Sequence, residues 1–365
     1  MAVYLDCAAT TPLHPRVREE MLRYFDEDFG NAGSRTHDYG RRARAAVEAA
    51  RDRIAAVVGA SRGDVFFTSG ATESNNLAIR GLAAQTRRHV ITSRIEHHAV
   101  LEPVADYDVT YLDPEPGGWI APEAVRTALR PDTLLVTIMH VNNETGVLQP
   151  VAEIADALGD HPALFHVDAA QGFGKDLPTL KHSRIDMISA SGHKIHAPKG
   201  VGALILRRRD GERPPVQPLL VGGGQERGLR PGTLPVPLIA AFGKAAELAV
   251  AEWPARDRCV RAFREQLLAG LAPLHPVVHG DPTRTLPHFV NLSIPGFDAE
   301  DLIEAWSDLA AISDGAACTS ASYTCSHVLS AMKLPNEQIQ GAVRLSWCHF
   351  SGMPDLAAMV SALTR

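Results

Sequence analysis

The stretch SASGHKIHAPKG, residues 189–200, combines small polar residues with a lysine, Lys194. It ends a short apolar run that is typical of a β-strand, so Lys194 lies just past a strand end. A lysine there, preceded by Ser-Gly-His, can form a Schiff base with an aldehyde cofactor. Its small polar neighbours can contact a phosphate without crowding it. Taken alone, the segment also fits a surface lysine in a glycine-rich turn.

A second stretch, HVDAAQ at residues 166–171, also ends an apolar run with a charged group. Asp168 in this place can pair with the protonated nitrogen of a pyridine ring and keep the ring an electron sink. Gln171 can donate a hydrogen bond to the hydroxyl oxygen of such a ring. The alternative for Asp168 is an ordinary helix cap.

A third stretch, TSGATESN at residues 68–75, follows a predicted strand and opens a predicted helix. The backbone N–H groups at that helix start, with the Thr72 hydroxyl, make an anion site suited to a phosphate. Each of the three stretches is ambiguous by itself. Together they predict an amine, a carboxylate and an anion site at the carboxyl ends of strands, where α/β sheets bind ligands.

Around these stretches, β-rich runs alternate with helix-length segments over the first two-thirds of the chain. The longest such segment is 34–58, where Ser34 is expected to cap the first turn. This alternation predicts a mostly parallel sheet with both faces covered. The predicted strands are residues 64–68, 89–93, 109–112, 133–140, 163–167, 186–189 and 200–206.

The pattern changes past Pro235. An alanine-rich helical region continues to about Leu271. Later segments predict a strand at 288–294, a helix at 299–306 and a final helix near residue 360. We therefore expect a domain change near residue 245.

The composition restricts the class of protein. The 365 residues are 45% hydrophobic and carry a formal net charge of −6, so no global field attracts nucleic acid. Neither a membrane-length apolar run nor a charged-then-apolar leader is visible, and a cytoplasmic protein without a membrane partner is expected. The five cysteines show no CxxC spacing, which favours neither a metal site nor a disulfide framework.

With these residues in view, the chain resembles the group I, NifS/IscS-like cysteine desulfurases of the class V aminotransferase family. The resemblance runs nearly end to end and also includes Ser34 and His37. Its motifs are YLD (4–6), AATTP (8–12), GN (30–31), GATESNN (70–76), EHHAV (96–100), HVNNETG (140–146), the Asp168 and Lys194 stretches, GGGQERG (222–228), ACTSAS (317–322) and VRLS (343–346).

The resemblance implies a pyridoxal 5′-phosphate (PLP) enzyme of fold-type I. A large, mostly parallel seven-stranded sheet domain would comprise residues 15–245. A smaller α/β domain, built from 1–14 and 246–365, would carry the catalytic cysteine. The sulfur of L-cysteine would pass to that cysteine as a persulfide, leaving L-alanine, and then to a sulfur-acceptor protein.

The resemblance also assigns roles to single residues. Lys194 would be the Schiff-base lysine, and His97 the imidazole that stacks on the ring and shuttles protons, although it could also be a buried helix-start histidine. Thr233 would reach the phosphate of the other subunit, implying a homodimer. The cofactor would be held by Ala71, Thr72, His97, Asp168, Gln171, Ser191, His193 and Lys194, and the substrate carboxylate by Asn143 and Arg344, helped by Asn31.

Cys318 is the predicted sulfur acceptor. It lies in DGAACTSAS, residues 314–322, whose small polar residues are typical of a loop. A thiolate that attacks the substrate Sγ, in a relative of thiol–disulfide exchange, gives alanine and an enzyme persulfide. A nucleophile that approaches the cofactor and then carries sulfur outward is better placed on a loop than on a strand.

Several residues depart from the family pattern. Cys325 replaces a usual proline and could be a spectator, a disulfide partner or a relay thiol. Cys7 stands where the family often has Tyr or Asn, and Cys348 stands where Gly is common. Ala32-Gly33 stands where the family usually has Pro-Ser or Pro-Ala. The chain ends at Arg365, without the C-terminal extension of many group I members.

The acceptor is therefore left open among iron–sulfur cluster, tRNA thiolation and DNA phosphorothioation pathways. A selenocysteine lyase, another class V aminotransferase and a non-catalytic sulfur-relay scaffold are the alternative functions. An aminotransferase would need no thiol at residue 318, whereas a scaffold would lack the cofactor.

Overall fold

The computed structural model describes residues 2–314 and 325–364. Its strands are β1 (Val3–Tyr4), β2 (Val65–Thr68), β3 (His89–Ser93), β4 (Asp108–Leu112), β5 (Thr133–Met139), β6 (Leu164–Asp168), β7 (Met187–Ser191), β8 (Gly202–Leu206), β9 (Val277–His279), β10 (Phe289–Ser293), β11 (Ala310–Ala311) and β12 (Val343–Ser346). Its α-helices are α1 (Pro15–Asp26), α2 (Asp38–Val58), α3 (Ala71–Arg80), α4 (His98–Val104), α5 (Pro122–Ala128), α6 (Val151–Leu158), α7 (Val236–Ala251), α8 (Trp253–Leu271), α9 (Ala299–Trp306), α10 (His327–Ala331), α11 (Asn336–Gln340) and α12 (Leu356–Leu363).

The large sheet confirms the predicted α/β architecture. It has seven strands in the order β2-β8-β7-β6-β5-β3-β4. Only β8 runs against the others in this sheet. The seven predicted strands coincide with these seven to within two residues at each end. Because both faces of this sheet are covered, its strands are continuous apolar runs that are visible in the sequence.

One prediction about a helix is wrong. Ser34 does not cap α2, because the helix begins at Asp38 and the His37 ring accepts the hydrogen bond from the Gly40 N–H at 3.2 Å. The Ser34 backbone instead crosses the first turn, so close that a Cβ on Gly40 would lie 2.2 Å from the Ser34 carbonyl oxygen. The region from Pro235 to Leu271 is two helices, α7 and α8, which are separated by Glu252.

Two main hydrophobic cores support the two-domain proposal. The first lies between the large sheet and helices that include α2 and α7; most of it lies before Leu248, but it also includes Val328, Leu329, Met332 and Ala342. The second begins at Val260 of α8 and packs Trp306 and Trp347 beside β10 and β12. The N-terminal β1 pairs with β11 and so joins the second core. We keep the division into 15–245 and 1–14 with 246–365 as a proposal.

Within the described residues, no helix is both long enough and apolar enough to cross a bilayer. The longest helix, α2, has 21 residues and carries several arginines and acidic residues.

The contact between α2 and α7 provides a stability test. A Cβ on Gly243 would lie 2.6 Å from both the Cα and the Cβ of buried Ala50. We expect Gly243→Ala to lower the free energy of unfolding by about 1–3 kcal/mol, because overpacking outweighs the gain of about 1 kcal/mol in helix propensity. Chemical denaturation measures this change. Gly63→Ala is the matched control, since no atom lies within 4 Å of the added methyl; equal effects of the two substitutions would contradict the prediction.

Candidate active site

A cavity opens where the parallel strands of the large sheet end. Strands β2, β5, β6 and β7 run in the same direction, so their carboxyl ends meet at one edge. The cavity there has a volume of about 620 Å³, which suits a small cofactor with its substrate. Nine predicted site residues line it, namely Ala71, Thr72, His97, Asn143, Asp168, Gln171, Ser191, His193 and Lys194.

Lys194 lies in a short 3-10 turn that directly follows β7. Its Nζ donates hydrogen bonds to the carbonyl oxygens of Ala8 and Ala9, the latter at 2.8 Å. The neighbouring His193 contacts the Thr10 hydroxyl through Nδ1 at 3.2 Å. Burial, and secondarily the charge of Lys194, lowers the pKa of His193 to about 4, so its ring is neutral at pH 7. The N-terminal segment thus forms one wall of the site.

Asp168 is the last residue of β6 and is 5% exposed. One carboxylate oxygen accepts the Ala170 N–H at 2.9 Å, and the other accepts the Asn75 side-chain amide at 2.7 Å. The bond to Ala170 is a local turn and begins no helix in this part of the chain. Asp168 therefore presents a fixed, buried acceptor to the cavity.

The start of α3 forms the predicted anion site. Gly70 precedes the helix, and β8 packs against it so closely that a Cβ on Gly202 would lie 2.6 Å from the Gly70 Cα. Glu73 in the first helical turn would oppose an anion, but Arg230 neutralises it with a hydrogen bond of 2.8 Å. The unpaired N–H groups at this helix start are thus available for an anionic group.

His97 is a half-buried residue at the start of a helix, and it also faces the cavity. It is the N-cap of α4, where its Nδ1 accepts the Ala99 N–H at 3.0 Å, and its ring also lines the cavity. A neutral ring bonded in this way carries its proton on Nε2.

Arg344 lies on β12, behind the cavity wall that Asn143 forms. Its guanidinium donates to the Asn143 carbonyl oxygen and to the Asp6 carboxylate, each at 2.7 Å. The buried Nε has no hydrogen-bond partner among the described residues. The contacts with Asn143 and Asp6 therefore hold the two terminal nitrogens of the guanidinium, and Nε is the remaining donor.

Four predicted site residues are not among those that line the cavity, and Arg344 on β12 is one of them. Asn31 is exposed, and its side chain accepts the Gly33 N–H at 2.8 Å. Thr233 is also exposed, in the segment that Arg230 ties to α3. Cys318 lies outside the described residues.

The residues that flank the segment 315–324 are anchored close to the site. Before it, Ser313 pairs through its backbone with Arg344. After it, the Ser326 hydroxyl donates to the Glu144 carboxylate, and the His327 ring contacts the Glu96 carbonyl oxygen at 2.9 Å. Glu144 and Glu96 directly neighbour Asn143 and His97, so both flanks are bound to the cavity walls.

Sequence reasoning missed four residues that support the site. Asn75 holds Asp168, Asp6 holds Arg344, Lys199 lines the cavity and Glu144 anchors Ser326. All four lie within or beside the motifs already quoted. Only their contacts, which join distant parts of the chain, assign them a role.

We expect Asn75→Ala to lower the free energy of unfolding by about 1.5–3 kcal/mol, because it removes a hydrogen bond to the buried carboxylate of Asp168. Denaturant titration measures the loss. Asn76→Ala is the matched control on the same helix, since Asn76 donates to the Thr72 carbonyl oxygen at an exposed position. A loss no larger than that of the control would contradict a structural role for Asn75.

Glu96 predicts a dependence of stability on pH. Burial, assisted by the Asp168 charge, raises the pKa of Glu96 from 4.5 to about 8. The stability tied to its proton is therefore fully present below the unfolded pKa and is lost as the pH rises towards about 8. Glu96→Gln does not ionise, so its free energy of unfolding should rise relative to the unaltered chain between about pH 5 and about pH 8.

Denaturant titrations at several pH values measure this gain. Glu123→Gln is the control, because Glu123 is exposed and its pairing with Arg126 lowers the pKa. A pH-independent difference between Glu96→Gln and the unaltered chain would contradict the prediction.

The chain is similar to known proteins along almost its whole length. The family model for class-V aminotransferases matches residues 3–359. A cysteine desulfurase IscS of Methylococcus capsulatus is 42% identical, over 100% of this chain and 92% of the relative. The crystal structure of DndA from Streptomyces lividans is 50% identical with a TM-score of 0.82, covering 96% of this chain and 100% of that one.

A structure of SspA in complex with cysteine is 37% identical, with a TM-score of 0.84, and covers 94% of this chain and 98% of that one. The matches span both hydrophobic cores and the cavity between the strand ends. The chain therefore belongs to the class-V aminotransferase family and, within it, to the NifS/IscS-like cysteine desulfurases.

Proposed function

We propose that this chain removes sulfur from L-cysteine with the help of PLP and passes it to Cys318. One observation carries the proposal: Lys194 and Asp168 line the cavity whose walls also anchor both flanks of the segment that contains Cys318. The identity to cysteine desulfurases and the likeness to a protein solved with cysteine support the substrate. We include a cytoplasmic location in the proposal.

The residues present fit PLP. The amine of Lys194 suits an aldehyde, the start of α3 suits a phosphate, and the buried carboxylate of Asp168 suits a protonated ring nitrogen. Gln171 adds an orphaned polar atom, because its Oε1 is buried and has no hydrogen-bond partner in the described part of the chain. When bound, PLP withdraws electrons from the Cα of an amino acid.

Asn143 and Arg344 would hold the substrate carboxylate. Arg344 is suited to this role because a guanidinium binds carboxylates through several donors at once. Its contacts with Asn143 and Asp6 do not engage Nε, which has no partner among the described residues. His97 would stack on the cofactor and exchange protons at Nε2, since its Nδ1 is engaged by the Ala99 N–H. The pocket thereby orients the thiol of L-cysteine.

Cys318 would then accept the sulfur. Its thiolate attacks the substrate Sγ, and an S–S bond forms as the substrate C–S bond breaks. The carbon keeps the bonding electron pair and takes a proton, so the products are L-alanine and the Cys318 persulfide. A sulfur-acceptor protein would later remove that sulfur, and the iron–sulfur, tRNA and DNA pathways remain its candidate destinations.

We also propose a homodimer in which Thr233 contributes to the phosphate site of the partner subunit. An apolar run that contains Leu220 and Val221 supports a contact with another protein chain. These side chains are 55% and 91% exposed, and large apolar side chains that lie together on a surface often mark an interface. The run lies shortly before Thr233 in the chain. Thr233 is exposed and is not among the residues that line the cavity of its own subunit with Lys194, which agrees with a role across an interface.

The test measures sulfide and alanine release from L-cysteine, together with the visible spectrum. We expect Cys318→Ser to keep the colour of the bound cofactor but to lower sulfide release to below about 1% of the unaltered enzyme. Cys259→Ser is the matched control, because Cys259 is an exposed thiol on α8, and it should keep full activity.

Full activity of Cys318→Ser would overturn the assignment of the nucleophile. Cys325 would then be the next candidate, since it is an exposed thiol beside Ser326, which is bonded to Glu144. Cys325→Ser in the same assay separates these two thiols. A colourless protein without turnover would overturn the PLP-dependent function itself.

A further inference from the structure

A second cluster of reactive side chains lies behind the turn that carries Lys194. It surrounds a cavity of about 70 Å³, which Lys194 also lines and whose thiols and imidazoles take part in none of the proposed catalytic steps. Cys7, Cys348, His196, His288 and His349 all line this cavity. Two thiols and three imidazoles are the ligand types that soft or borderline transition metals prefer.

Three of these residues already have the spacing of a ligand set. The ligand atoms of His196, Cys348 and His349 all lie within 4.8 Å of one another. Tetrahedral zinc, with Zn–N of about 2.0–2.1 Å and Zn–S of about 2.3 Å, holds its ligand atoms roughly 3.5 Å apart. Side-chain adjustments of about 1 Å would therefore complete the geometry, without a change in the backbone.

His196 is oriented as metal-binding histidines are. Its Nδ1 contacts the Pro12 carbonyl oxygen at 3.0 Å, which leaves Nε2 as the ligand atom. The residue is 5% exposed, and its backbone has a φ of 72°, a left-handed conformation that is costly for a residue other than glycine. The fold therefore holds this imidazole in place at a cost.

His349 offers a donor atom that the protein leaves unused. Its Nε2 is buried and lacks a hydrogen-bond partner among the described residues, and the same holds for Nε2 of His288, a residue that is only 7% exposed. Buried polar atoms are rarely left unpaired in this way. Two unpaired imidazole nitrogens in the lining of one small cavity indicate a missing ligand.

Cys7 is placed to be the fourth ligand. Its side chain lines the same cavity as that of Cys348, and its backbone N–H donates to the Ser346 carbonyl oxygen at 3.0 Å. Both cysteines occur where the desulfurase pattern has other residues, so this chain differs from that pattern at two residues that line one cavity. Cys7 and Cys348 also line a larger, more open cavity at the surface, which provides an entry path for an ion.

A neighbouring trio is a weaker candidate. The ligand atoms of His14, Glu252 and His349 also lie within 4.8 Å of one another. The Glu252 carboxylate, however, is already paired with Arg256 at 2.9 Å and with Arg16 at 3.4 Å. The half-buried Lys175 also lines the cavity with the two cysteines. Two thiolate ligands would balance the charge of a divalent ion and leave that of Lys175.

We propose that Cys348, His196 and His349 bind a divalent transition-metal ion of the zinc type, with Cys7 as the fourth ligand. The ion would join the segment after Lys194, which carries His196, to the N-terminal segment, whose Ala8 and Ala9 carbonyls bind Lys194. The site stands independently of the desulfurase reaction, because none of its ligands belongs to the proposed catalytic set.

The experiment uses the full-length holoenzyme with Cys318→Ser, so that the catalytic thiol does not compete for the ion. After treatment with a chelator, the protein is dialysed against Zn²⁺, and the bound metal is measured by mass spectrometry. We expect about one ion per chain. Cys348→Ala and His349→Gln should weaken binding by more than the roughly 10–100-fold that follows loss of an outer-shell partner.

Cys259→Ala is the matched control and should retain the ion, because this exposed cysteine lies outside the cluster. Loading the site with Co²⁺ in place of Zn²⁺ gives a readout that needs no variant. The absorption spectrum should then show thiolate-to-cobalt charge transfer and the intense visible bands of tetrahedral Co²⁺. Failure of the unaltered cluster to retain Zn²⁺, or equal retention by Cys348→Ala, would overturn the proposal. A Cys7–Cys348 disulfide found in place of the ion would also overturn it and identify a redox pair.

Discussion

The parallel pairing of β6 with β7, which sets Asp168 opposite Ser189, is the constraint on which the rest of the site depends. It brings a buried carboxylate and the turn with Lys194 to the same edge of the sheet. The cavity, the start of α3 and the cap at His97 are then arranged around two fixed points. Because the strands of this sheet are buried on both faces, a shift in register would expose apolar side chains and move both groups.

Much of this arrangement could be predicted from the sequence because buried strands and their ends leave local signals. The seven strands, the carboxylate at the end of β6 and the lysine after β7 all follow from runs of apolar residues and the polar residues that end them. The predicted start of α2 at Ser34 is wrong. Ser34 satisfies a general capping preference, but His37 caps the helix through a contact that depends on how the chain crosses Gly40. Capping preferences are weak priors that tertiary contacts override.

Contacts that join distant segments left no comparable signal. Asp6 and Arg344 are 338 positions apart, yet they share a hydrogen bond. The expectation of no metal site rested on the lack of CxxC spacing, but Cys7 and Cys348 are 341 positions apart and line one cavity only in the folded chain. Spacing along the chain detects ligands that share a turn or hairpin, and it cannot detect ligands that are brought together by the N-terminal segment.

That segment has a consequence for how the protein is made. The Cys7 N–H binds the Ser346 carbonyl oxygen, β1 pairs with β11, and the Ala8 and Ala9 carbonyls bind Lys194. Residues 7–9 are therefore synthesised long before some of their partners, and they reach their final place only after those partners exist. The large sheet can form during synthesis, but the N-terminal segment is fully held only after Ser346 has been made. The pocket is thus finished well after the sheet that carries Asp168 and Lys194.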